Sequence, residues 1–208
     1  MSNPQPVIFD TDPDPMVGMF VKDITEGIAD TGVKAGIIKC ATDRDGLTPG
    51  VERVLRACAR THRETGVPIT THTDAGTFRG RDQQRVFEEE GVDLTRVVIG
   101  HSGDSTDLDY LRELMDKGSM IGMDRFGIDV LLPFDDRVQV VADLCAQGYA
   151  DRMVLAHDAA CYMDWFTPEV QSMMASNWHF NHISDDVLPE LLERGVTQDQ
   201  IDQMLVAN

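Results

Sequence analysis

The sequence predicts a parallel α/β fold in one domain. Three observations point there. Short apolar runs alternate with segments of helical period along the chain. Helical segments close on a glycine just ahead of the next apolar run, at Gly66, Gly91, Gly118 and Gly148. No repeat beyond the strand–helix unit and no low-complexity linker divides the 208 residues, a length that fits one domain with a sizeable core.

In chain order, residues 6–12 (PVIFDTD) read as a short strand broken by Pro13 and Pro15. A helix is expected over 19–30, where Phe20, Ile24 and Ile28 share a face. The run Gly36-Ile37-Ile38-Lys39-Cys40-Ala41 reads as a buried strand of the kind covered on both faces. A helix over 50–65 carries Val51, Val54, Leu55 and Cys58 on one side. Strands follow at 67–73, 97–101, 120–123 and 152–156, separated by helices at 82–90, 107–117 and 135–147. Beyond them lie a long loop bearing Trp165, Phe166, Trp178 and Phe180, then two helices at 185–194 and 197–206.

Composition narrows the function classes. A formal net charge of -18 argues against nucleic-acid and anionic-membrane surfaces, which select for basic patches. Cys40, Cys58, Cys145 and Cys161 are widely spaced and include no CxxC pair, a pattern of reduced thiols expected in a cytoplasmic protein. No apolar segment reaches membrane-span length, and residues 1–15 do not have the pattern of a secretory signal.

The informative polar residues fall at the ends of successive strands: Lys39, His72, His101 and Asp158. In a (β/α) barrel that face builds the active site. Histidine and aspartate are ordinary ligands for zinc or a similar divalent ion. A lysine near the end of an apolar strand is costly to bury charged, so it pairs, snorkels or is used chemically.

These residues sit in motifs that carry a resemblance: AGIIKCATD (35–43), GVPITTHTDAG (66–76), RVVIGHSGD (96–104), IGMDRFGID (121–129) and VLAHDAACYMDW (154–165). In that order they resemble the phosphotriesterase family of the amidohydrolase superfamily, and within it the phosphotriesterase-like lactonases. The resemblance covers 19–208, leaving 1–18 as an atypical N-terminal segment. It implies a (β/α)8 barrel with two divalent metals, zinc being the expected ion. By motif, Lys39 is similar to the carboxylated lysine that bridges the metals, its carbamate derived from carbon dioxide. His72 and His101 resemble ligands of the more exposed metal. Asp158 resembles the ligand of the buried one and manages the proton of a metal-bridging hydroxide that attacks a phosphotriester or lactone. Arg125, Cys161 and Trp165 match substrate-pocket positions. The implied partner is a small ester or lactone, and the family allows a homodimer.

The chain departs from that family at its front. The HxH pair of the first family strand occurs nowhere in the sequence, and the strands from Lys39 onward correspond to family strands four to eight. A barrel truncated at the N-terminus is therefore expected. Asp10 and Asp12, two apart at a strand end, offer one way to imitate the geometry of the missing pair. Two further readings stand beside ester hydrolysis. One is a catalytically impaired barrel segment with an exposed apolar edge near 35–41. The other is a nucleoside hydrolase-like activity led by Asp10 and Asp12.

Overall fold

The structure is a computed structural model that describes residues 14–165 and 167–208. The expected strand at 6–12, with Asp10 and Asp12, lies outside the described residues. Five strands form one parallel sheet: β1 (Ile38–Thr42), β2 (Ile69–Thr73), β3 (Val97–Ile99), β4 (Met120–Met123) and β5 (Met153–Leu155). Their order in space is their order in the chain. The register places Ala41 beside His72, Thr70 beside Val98, Val98 beside Met120 and Ile121 beside Met153. Parallel neighbours need a crossover, and the helices α2 (Pro49–Thr65), α3 (Arg79–Glu89), α4 (Leu108–Asp116) and α5 (Phe134–Ala146) supply it.

These helices cover one face of the sheet, and among the described residues no second layer of helices covers the other. In β1, Ile38, Cys40 and Thr42 are buried while Lys39 and Ala41 are exposed. The same alternation, weaker, runs through β2, β3 and β5. The expectation of a β1 strand buried on both faces is therefore corrected. The period-two side-chain alternation sends only one set of residues against α2, where Leu55 and Cys58 are fully buried. Ile37, at the start of this edge, is 52% exposed, in keeping with the expected apolar edge.

The first helix also differs from the sequence reading. It is α1 (Pro15–Thr25), not 19–30. Pro15 opens it rather than breaking a strand, because proline is pre-organised for the first helical turn. The Asp14 side chain accepts from the Met16 amide at 3.0 Å to cap it. The same carboxylate takes two hydrogen bonds from Arg53 of α2, at 2.5 and 3.0 Å, and this tie holds α1 on α2. The aromatic loop contains an unexpected helix, α6 (Pro168–Met174), capped by Thr167. The two tail helices begin with or end in wide π-turns: Ile183–Val187 leads into α7 (Leu188–Glu193), and α8 (Gln198–Asp202) runs on into Gln203–Ala207. Val187, Leu191, Ile201 and Met204 bring these helices into the core beside α5 and β5. Among the described residues no helix is long and apolar enough to cross a membrane.

Candidate metal and substrate site

Parallel strands all end on one side, so the residues just past them meet there. His101 follows β3 and is 4% exposed. Its backbone is left-handed, with φ 61°, which turns its amide and ring toward the end of β4. Asp124, just past β4, receives both: the His101 amide donates to Oδ1 at 2.8 Å, and the His101 Nδ1 lies 2.9 Å from the same oxygen. Asp124 fits because its neighbours lack side chains. A Cβ on Gly122 would stand 2.3 Å from Asp124 Oδ2 and one on Gly100 3.3 Å from it, while the Gly100 Cβ would also stand 2.0 Å from the Thr71 carbonyl oxygen.

His72, at the end of β2, stacks edge-on against His101 with ring centroids 4.8 Å apart. Burial, then the neighbouring His101 and Arg125, hold the His72 imidazole below its ordinary value of 6.5, favouring the neutral form that ligates metals. Arg125 joins the groups together. Its guanidinium lies 3.4 Å from His72 Nδ1, donates to Asp158 Oδ2 at 3.4 Å and to Asp104 Oδ2 at 2.9 Å. Asp158 Oδ2 in turn stands 3.9 Å from His101 Nε2. Asp158 has a left-handed backbone, φ 56°, and its side chain is exposed.

Behind this row, Asp104 bridges two arginines. Arg137 of α5 is wholly buried and donates to Asp104 Oδ1 at 2.8 Å and to the Gly103 carbonyl at 2.6 Å. A buried guanidinium is tolerated only with such partners. Asp104, Asp124 and Arg137 were not among the residues singled out from the sequence. Asp104 and Asp124 lie inside the HSGD and MDRF motifs, beside residues that were. Arg137 lies in a helix with no motif around it, and no sequence signal marked it.

Lys39 differs from expectation. It is exposed on the open face of β1, and its Nζ donates to the Thr71 carbonyl at 3.0 Å. The burial that was to make its amine reactive is not found, since among the described residues no layer covers that face.

Arg125 and Asp158 open onto a cavity of about 440 Å³ lined also by Leu131, Trp165, Met174 and Trp178. Its walls are mostly apolar with two charged groups at the base, as small-molecule sites are. Trp178 is fixed by donating Nε1–H to the His157 carbonyl at 2.7 Å. Trp165, 81% exposed, reaches the rim. Cys161 is not on this cavity. It lines an adjoining one of about 420 Å³, together with Tyr162 and Trp165.

Two imidazoles, one kept neutral, and a carboxylate fit a divalent ion in chemical type. They do not crowd into one sphere: among the described residues, three such ligand atoms gather within 4.8 Å of one another elsewhere, at His179, His182 and Asp186. His72, His101 and Asp158 meet at the strand ends without closing into such a group, Asp158 Oδ2 standing 3.9 Å from His101 Nε2. The HxH-type donors are not found among the described residues.

Known proteins are similar to this chain over most of its length. A phosphotriesterase homology protein of Mycobacterium tuberculosis is 62% identical over 196 residues, covering 94% of this chain and 60% of that protein. An aryldialkylphosphatase of Saccharolobus solfataricus is 43% identical over 190 residues, covering 90% of this chain and 60% of that protein. The solved structure of the phosphotriesterase from Mycobacterium tuberculosis superposes with a TM-score of 0.91 at 62% identity, over 92% of this chain and 59% of that one. The chain thus spans about 60% of the length of these relatives, and its five-stranded parallel sheet is part of their barrel. The family model of the phosphotriesterase family matches residues 9–208, essentially the whole chain, and the chain belongs to that family.

Proposed function

We propose that this chain carries the strand-end half of a metal-dependent ester hydrolase acting on phosphotriesters or lactones. The observation that supports it most is Arg125, joined to His72, Asp104 and Asp158 at the base of an apolar cavity. His72, His101 and Asp158 are the proposed ligands. A divalent ion there supplies a Lewis acid for the electrophilic oxygen and acidifies water. Zinc suits the donor set. Lys39 joins the set if its amine adds carbon dioxide, forming a carbamate and releasing a proton. Asp158 takes the proton of the attacking water, and its exposed carboxylate is free to pass it to solvent. Arg125 orients the polar head of the ester, while Trp165 and Trp178 hold its apolar group. Cys161 acts from the adjoining cavity, on longer substrates.

The test is metal content and turnover of the purified chain with an aryl dialkyl phosphate and an aliphatic lactone. Asp158→Asn should lower turnover by about 10²–10⁴-fold. Equal turnover in the metal-loaded chain and the variant overturns the reading.

A second reading has a specific observation behind it. Lys39 is exposed and occupied by the Thr71 carbonyl, so the chain binds one ion and does not turn over. One equivalent of bound metal with no turnover, restored by no bicarbonate supplement, would select it.

A further inference from the structure

Away from the strand ends, the chain makes a second gathering of ligating side chains. His179 and His182 lie in the turn after Trp178, and the His182 amide donates to the His179 carbonyl at 3.2 Å. The wide π-turn Ile183–Val187 then carries Asp186 back beside them. One ligand atom from each of the three lies within 4.8 Å of the other two. His182 Nδ1 and Asp186 Oδ2 are 2.8 Å apart, and the two imidazole rings meet edge-on at 5.8 Å.

His182 adds an independent observation. It is 1% exposed, and its Nε2 has no hydrogen-bond partner. Neither neutral tautomer satisfies this ring. With the proton on Nδ1, the hydrogen bond to Asp186 is made and Nε2 is a bare buried acceptor. With the proton on Nε2, that donor is unmet, and the Nδ1 lone pair faces a carboxylate oxygen. A cation between Nδ1 and the Asp186 carboxylate removes the second of these conflicts, the lone pair facing the oxygen.

We propose that His179, His182 and Asp186 form a divalent-metal site of their own, separate from the strand-end site, for a borderline ion of the zinc or cobalt(II) type. Two imidazoles and one carboxylate are common donors for such ions, at about 2.0–2.2 Å. The His182–Asp186 pair already stands at nearly the separation that two ligands of one ion require. His179 is exposed, so its ring can swing in to complete the third leg, and solvent takes the fourth. Asp186 is also exposed, which gives the ion an entry path.

The position gives the ion a role. Trp178, the neighbour of His179, forms part of the wall of the cavity at Arg125 and Asp158. The preceding Asn177 passes so close to Gly127 that a Cβ there would stand 2.4 Å from the Asn177 carbonyl oxygen. An ion held by residues 179, 182 and 186 therefore pins the segment that walls the cavity.

The experiment is equilibrium dialysis of the metal-free chain against zinc, with metal counted per chain, in the parent, His179→Ala, Asp186→Asn and His72→Ala. Both variants of the proposed site should bind one zinc fewer than the parent. His72→Ala should keep that ion, and zinc should still raise its thermal midpoint. With cobalt(II) in place of zinc, the parent and His72→Ala should share a visible absorption that His179→Ala lacks. Unchanged stoichiometry in both His179→Ala and Asp186→Asn, or zinc stabilisation abolished by His72→Ala alone, overturns the proposal. Since residues 179 and 186 are exposed, folding of these variants is checked directly by their circular dichroism without metal.

Discussion

Asp124 holds His101 at two points, its backbone amide at 2.8 Å and its ring Nδ1 at 2.9 Å, through a single carboxylate oxygen. That grip fixes the ring's rotation and tautomer together, leaving Nε2 toward Asp158.

Asp124→Asn should therefore weaken metal binding at the strand ends by about 10–100-fold while the chain stays folded, since an amide oxygen still accepts one of the two bonds. Zinc titration with a competing chelator measures it. Affinity equal to the parent would show that His101 needs no such orientation.

Arg137 and Asp104 form an ion pair in which the arginine is wholly buried. Arg137→Met leaves Asp104 with Arg125 alone and should cost about 3–5 kcal/mol, the usual penalty for removing one partner of a buried pair. Urea denaturation reads the loss. A cost below about 1 kcal/mol would place Arg137 among replaceable surface cations.

Gly100→Ala brings a Cβ to 2.0 Å from the Thr71 carbonyl oxygen, and backbone cannot yield as a side-chain tip can. The substitution should destabilise by about 3 kcal/mol or more, as overpacking against backbone does. It should also shift the ring of His101 next to it, visible as a changed imidazole resonance. A thermal midpoint equal to the parent would refute the close approach.

The Asp14–Arg53 bond pair sets an acid dependence. The guanidinium hydrogen bond holds the Asp14 carboxyl below its ordinary value of 3.8. A depressed acid stabilises the folded chain above that ordinary value, and the contribution is lost as pH falls through the lower folded value. Asp14→Asn keeps the cap of α1 and removes the charge, so it should cost about 1–2 kcal/mol near neutrality. The gap between parent and variant should close below pH 3.8. Thermal melts across the acid range test this, and a gap that persists unchanged at the acid end would exclude the ion pair as its source.

The strands were legible because apolar runs bounded by glycine carry their own signal, and β4 falls at the expected 120–123. The meeting of His72, His101 and Asp158 was legible for a related reason, that parallel strands all end on one side, whereas Arg125 was marked only by the family resemblance. The environment of Lys39 was not, because an apolar run in sequence does not say whether a second layer covers its alternate residues. The Asp104–Arg137 pair joins residues far apart in the chain, and nothing local marks them as partners. Helix α6 was hidden in a stretch whose aromatic residues gave no helical period, although Thr167 and Pro168 begin it as a cap and first-turn proline do. The π-turns at 183–187 and 203–207 extend helices by geometry that periodicity cannot separate from ordinary helix.

The sheet's spatial order repeats its chain order, so each strand pairs only with a neighbour one crossover away. A backbone cut between β3 and β4 would divide it into two contiguous pieces sharing one seam, the short register Val98 to Met120 and Ile99 to Ile121. No strand would have to thread between others for the pieces to rejoin. This topology suits the chain to split-fragment reassembly, with Asp124 on one piece and His101 on the other, so that recovered metal binding would report the rejoining of the seam.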